Sequence, residues 1–193
     1  MVRRSDSLSM PWLRAETRWQ SIVGELLLDR ASQSITKTMW RFLEKSAVGP
    51  EALDPNSDGE LAEQLVDLAS GVGRRARAEK VIVLAERVNF DASALNGSAE
   101  DIKKATGLTD GIADLAELAV EADPTSSMGD DMMSGEPVLV TKGILRVARR
   151  FQANTVDRKN KMTDGRLAVA RMIGFGPKSR EAHLALIEVA TSI

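Results

Sequence analysis

Apolar residues recur three and four positions apart along most of this 193-residue chain, and that spacing limits what it can fold into. Trp19, Ile22, Val23, Leu26 and Leu27 fall on one face of a helix over 19–28, because at 3.6 residues per turn such positions stack above one another. Ile35, Met39, Trp40, Phe42 and Leu43 repeat the pattern behind Ser32 or Ser34 as an N-cap. Pro50-Glu51-Ala52-Leu53 reads as a short helix with proline in its first turn. Helices are expected over Glu60–Leu68, Ala76–Val88, Ala99–Ala105, Ile144–Phe151, Gly165–Ile173 and Glu181–Ile193, the last with Leu184, Ile187 and Val189 inward. Between them, Gly107-Leu108-Thr109-Asp110-Gly111-Ile112-Ala113-Asp114-Leu115-Ala116 is a turn followed by helical spacing. No segment alternates as a strand pair, and no βαβ order is visible. About nine to eleven helices make the class all-α. Trp12, Trp19 and Trp40 are expected to pack in the core.

Composition removes several kinds of chemistry. With 43% hydrophobic residues the chain can pack an interior without cross-links. It contains no Cys, which excludes disulfides, thiolate nucleophiles, zinc–thiolate sites and iron–sulfur ligation within these residues. A reducing cytoplasm fits. No apolar run is long enough to span a bilayer, and Met1–Met10 is too polar for a signal peptide, so no membrane partner is expected. Asp54, Asn56, Asp58 and Gly59 have the early spacing of a calcium loop, but the position requiring a bidentate Glu is Leu65, so the segment reads as a turn and N-cap instead. Gly71-Val72-Gly73-Arg74-Arg75 lacks the preceding strand and the Lys-Ser/Thr ending of a phosphate-binding loop. Neither a metal nor a cofactor is expected. Asp123–Glu136 has no periodicity and reads as an insertion. His183, with no Ser or Cys partner pattern, reads as a structural hydrogen-bonding residue.

The net charge is −2, whereas proteins that depend on phosphate contacts are usually more basic. The charge is uneven. Arg74, Arg75, Arg77 and Lys80 cluster, as do Arg146, Arg149 and Arg150, and Arg158, Lys159 and Lys161. Either these are local basic faces or they are ordinary solvated helix surfaces.

A series of segments, in order, resembles the helix-hairpin-helix superfamily of DNA glycosylases, which includes endonuclease III and the adenine and thymine-mismatch glycosylases. Pro11-Trp12 resembles the mismatch branch's opening Pro-Trp. Glu25-Leu26-Leu27-Leu28-Asp29-Arg30-Ala31 resembles its Glu-Ile-Leu-Leu-Arg/Gln-Arg/Gln-Thr helix end. Trp40-Arg41-Phe42-Leu43, Pro50-Glu51-Ala52-Leu53 and the run from Gly71 through Arg77-Ala78-Glu79 resemble its Arg-Phe, Pro-x-x-Leu and Gly-Leu-x-x-x-Arg-Ala-Glu. Ala182-His183-Leu184-Ala185-Leu186-Ile187-Glu188 resembles Phe-Asn-x-Ala-Leu-Met-Asp, the helix that in the family leads to a four-Cys cluster loop absent here. The resemblance covers nearly the whole chain. It implies a two-lobed helical protein with a central lobe over 20–134 and a second lobe formed by 1–19 and 135–193, with double-stranded DNA passing the cleft between them.

Carried over residue by residue, the resemblance also implies what has been lost. The family's hairpin turn Leu-Pro-Gly-Val-Gly falls on Leu108, Thr109, Asp110, Gly111 and Ile112, and its nucleophilic Lys falls on Asp114. Aligning Arg146-Val147 with the family's Arg-Val puts Thr141 on the catalytic Asp. A Thr cannot supply negative charge, and an Asp cannot form a Schiff base. Stand-ins would be Lys142, or Asp130, Asp131 or Glu136 from the insertion. DNA contact would fall to Arg30, at the position that fills the gap left by a flipped base, and to Arg74, Arg75, Arg77, Gly107, Gly111 and Arg146. Three functions are therefore expected in competition. The first is a non-catalytic glycosylase-fold module that recognises damaged, modified or foreign DNA, with a protein partner in a multi-component system. The second is an active base-excision glycosylase with a relocated carboxylate. The third is a helical protein-interaction adaptor.

Overall fold

The structure, a computed structural model, describes residues 10–47, 49–56, 59–91, 93–120, 139–151, 161–174 and 179–191. Among these residues every regular element is helical, as the spacing of apolar residues requires. The elements are a 3-10 turn Pro11–Arg14, α1 (Arg18–Leu28), α2 (Gln33–Ser46), a 3-10 turn Pro50–Leu53, α3 (Glu60–Ser70), α4 (Arg75–Phe90), α5 (Ala99–Thr106), α6 (Asp110–Ala119), α7 (Lys142–Phe151), α8 (Lys161–Ile173) and α9 (Ser179–Thr191). They fall into two compact units, Pro11–Gly129 and Met1–Met10 with Asp130–Ile193.

In the larger unit α1 packs against the Pro11–Arg14 turn, α2, α4 and α6. A helix with neighbours on so many sides is buried nearly all round: Trp19, Gln20, Ser21, Ile22, Val23, Gly24, Leu27 and Leu28 are all buried. Its approach to Trp12 depends on Gly24. A Cβ at that position would lie 2.3 Å from Trp12 Cβ and 3.1 Å from Trp40 Cζ3. Residues 11–19, expected to join the C-terminal lobe, pack here because Trp12 and Trp19 are buried in this unit and Trp12 Nε1 donates to Glu25 Oε2 at 2.7 Å. Trp40 is half-buried.

Side-chain caps set three of the six α-helix starts described in this unit. Thr17 Oγ1 accepts from Gln20 N, Ser32 rather than Ser34 accepts from Ile35 N, and Ser98 forms a reciprocal capping box with Asp101. Asp54 Oδ1 accepts from Asn56 N at 2.8 Å, closing the turn ahead of α3. Helix α4 continues past its expected end at Val88 to Phe90, and Asn89 Nδ2 holds Pro50 O at 3.2 Å from that last turn.

The smaller unit packs α7, α8 and α9 on one another. Ile144, Val147, Ala148, Ala168, Val169, Leu186, Ile187 and Ala190 form its interior. His183 is fully buried, and its Nε2 lies 3.1 Å from Leu139 O. A carbonyl can only accept, so Nε2 carries the proton. The inward stripe of α9 runs His183, Leu186, Ile187, Ala190. Val189 was expected inward but is 46% exposed: a histidine opens the buried stripe, so counting apolar residues alone shifts the face.

Gly24→Ala is expected to destabilise the protein by about 1–3 kcal/mol through overpacking against Trp12. The urea midpoint would fall at unchanged slope.

Candidate nucleic-acid interface

The segment after α1 brings together three of the residues singled out by sequence: Arg30, Arg74 and Arg77. Helix α1 ends at Leu28, and Ala31 N returns to Leu28 O at 2.8 Å, closing a tight turn. Within it Arg30 has φ 56°, the only non-glycine residue with positive φ among those described. That conformation crowds Cβ against the following carbonyl and costs roughly 1–2 kcal/mol. The side chain it presents is 90% exposed.

Two arginines enter the turn from the start of α4. Arg74 Nη1 donates to Leu27 O at 2.6 Å and Asp29 O at 3.1 Å. Arg77 Nη1 donates to Leu26 O at 3.0 Å and Asp29 O at 3.3 Å. These are carbonyls that a helix end leaves without an intrahelical partner, and positive charge there also complements the helix dipole. Desolvation lowers the pKa of Arg74, as does Arg77 beside it, while Asp29 opposes them. Asp29 Oδ2 lies 3.9 Å from Arg77 Nη2 and 3.8 Å from Arg30 Nε. Arg75 points elsewhere: its Nε lies 2.8 Å from Glu79 Oε1 on the exposed side of α4.

Half-buried behind this corner is a carboxyl group that sequence motifs did not single out for a role. Glu25 is shielded by packing and accepts from Trp12. Desolvation raises its pKa; the Trp12 hydrogen bond lowers it, the Asp29 charge raises it and Arg77 lowers it. The available signal was an acid placed between apolar positions on an otherwise buried helix.

Helices α5 and α6 pack against each other and are joined by the turn expected at Gly107, across residues 107–109. Gly107 ends α5 at φ 73°, ψ 15°, with its N–H on Lys103 O. Arg87 Nη1 caps Thr106 O at 2.6 Å. Gly111 is exposed in the first turn of α6. Asp110, in the first turn of α6, pairs with Lys103 of α5. Asp114 is half-buried on α6, and its charge also acts on Lys103.

Thr141, Lys142 and Arg146 belong to the smaller unit. Thr141 Oγ1 accepts from Ile144 N at 3.2 Å, and Thr141 O accepts from Leu145 N at 2.9 Å. Thr141 is thus the N-cap of α7, a structural function for the residue that the resemblance aligns with a catalytic carboxylate. Arg146 is exposed on α7. Of Lys142 only the backbone is described, and Asp130, Asp131 and Glu136 lie outside the described residues.

Thr141→Val should lower stability by about 1 kcal/mol, whereas Thr141→Asp should retain it, because aspartate caps at least as well; thermal unfolding distinguishes the two. Glu25 supplies a pH dependence of definite sign. Its folded pKa is raised, so the fold favours the neutral acid. The associated stability is fully present below the unfolded value of 4.5 and is lost as pH rises through the folded value. Glu25→Gln keeps an acceptor for Trp12 without the charge, so urea unfolding should show a stabilisation that grows from pH 4 towards pH 8.

No protein-family model, curated protein or solved structure matches the chain, and the interpretation of this corner rests on its own geometry.

Proposed function

We propose that this protein binds double-stranded DNA through the α1–α2 turn and serves as a non-catalytic recognition module for damaged, modified or foreign DNA. The observation that carries this reading is Arg30: an exposed cationic side chain held at φ 56° on a turn braced by two other arginines. Strain of that kind persists where the surroundings impose it and marks candidate functional positions. A guanidinium projecting from a fixed turn can enter a duplex where a base is missing or displaced, stacking on the neighbouring bases while its donors meet acceptors.

Two further observations support binding without catalysis. The hydroxyl of Thr141 is used in capping α7, and it brings no negative charge to stabilise a cation-like sugar. The turn between α5 and α6 keeps the small, left-handed Gly107 that close phosphate approach requires, while Asp110 tempers its attraction for an anion. The adaptor reading has its own observation: Val83 and Phe90, seven residues apart on α4, are 56% and 96% exposed.

Binding to a short duplex carrying an abasic-site analogue tests the proposal, with base release assayed in the same samples. Salt-sensitive binding without release is expected. Arg30→Ala should weaken it by about fivefold to a hundredfold with the fold intact. Release of a base would overturn the non-catalytic reading, and absence of salt-sensitive binding would overturn the DNA reading in favour of the adaptor.

A further inference from the structure

The basic cluster at the start of α4 suggests phosphate contacts when only its sequence is considered. The structure divides it. Arg75 faces outward, paired with Glu79. Arg74 and Arg77 turn inward, and both reach one atom, Asp29 O, at 3.1 and 3.3 Å. That oxygen belongs to the peptide bond linking Asp29 to Arg30. The φ of Arg30 is the rotation that relates this peptide plane to the rest of the residue. Pinning the oxygen from two sides therefore fixes the plane from which the left-handed conformation departs. Each guanidinium has a second anchor one turn deeper, Leu27 O for Arg74 and Leu26 O for Arg77. The Asp29 carboxylate adds a weaker link between Arg77 and Arg30 themselves.

We infer that Arg74 and Arg77 are positioning residues for Arg30: they brace the end of α1 from within, hold the Asp29–Arg30 peptide plane and leave contact with DNA to Arg30. This inference rests on the DNA reading proposed above. It assigns the two arginines a function opposite to the one their clustering suggests, since a guanidinium bonded to carbonyls on its own fold is directed away from a ligand. It also separates charge from geometry. Both bonds of each arginine leave one nitrogen, Nη1, at the far end of a planar head. A lysine keeps the charge, but its ammonium sits on a shorter, flexible stem with no such head to aim two N–H groups, so Arg→Lys should be tolerated at a phosphate contact and not at this brace.

The test combines a charge-conserving substitution with two readouts. Arg77→Lys and Arg74→Lys are made singly in wild-type and Arg30→Ala backgrounds, and folding is verified by their unfolding transitions. Each is expected to weaken binding to the abasic duplex in the wild-type background while the slope of affinity against salt stays unchanged. At a phosphate contact the lysine would keep the charge, and affinity and slope would both be nearly unchanged. In the Arg30→Ala background neither should have a further effect, because residues that act through one another are non-additive. The second readout needs no DNA. Trypsin cleavage after Arg30, followed by mass spectrometry, should accelerate on the order of tenfold in the lysine variants as the turn opens locally. Unchanged affinity in the wild-type background would make the two arginines phosphate contacts, and additive losses in the Arg30→Ala background would make them act independently of Arg30; either would overturn the inference. An unchanged cleavage rate in a folded variant would overturn the brace itself. If the wild type binds no DNA, the DNA reading fails, and the cleavage rate alone decides whether the brace exists.

Discussion

The last carbonyls of a helix have no partner within it, and burying them against other elements is costly unless donors arrive from elsewhere. Here the donors are guanidinium groups. Arg74 and Arg77 close α1, Arg87 closes α5, and Arg18 Nη1 reaches Leu95 O at 2.9 Å and Gly97 O at 2.6 Å, tying the loop ahead of α5 back to α1. Arginine suits the task because one planar head can reach two carbonyls and remains charged. Desolvation lowers the pKa of Arg18, against the opposing charge of Glu117. In an all-helical unit without cysteine, these long-range bonds fasten segments far apart in sequence, 45–79 residues apart for the contacts of Arg74, Arg77 and Arg18.

The same interactions explain an apparent conflict in the sequence. A net charge of −2 seems poor for a nucleic-acid binder, and clustered arginines seem to offset it. Once several of those arginines are assigned to the fold, the cluster supplies less exposed positive charge than its letters suggest. Within that cluster Arg75 and Lys80 remain exposed, Arg75 paired with Glu79, and under the proposed reading Arg30 is the guanidinium offered to DNA.

The parts of the structure legible in the sequence are those determined by local spacing. Helical periodicity, Ser32 and Ser98 at helix starts and Gly107 at a helix end act over a few residues, and each is visible in a short window. The fate of Arg74 and Arg77 was not visible, because a carbonyl acceptor is a property of every residue and leaves no mark in the side-chain sequence. Thr141 is similar: its letter excludes a carboxylate, but its capping of α7 depends on where the helix begins. The partial shielding of Glu25 depends on Trp12 and Gly24 jointly, since the missing Cβ at Gly24 lets Trp12 approach close enough to bond it. The inward turn of His183 required knowing that Leu139 O lies opposite.

The bond from Trp12 to Glu25 also gives the molecule an internal optical reporter. An indole emits at a wavelength set by the field around it, and here its N–H points at a carboxyl group that titrates in a shielded place. Because Glu25 lies one helical turn before Asp29, whose N–H it accepts at 3.1 Å, the same indole sits at the base of the segment that carries Arg30. Its share of the emission, alongside that of Trp19 and Trp40, is expected to shift with the charge state beneath that segment.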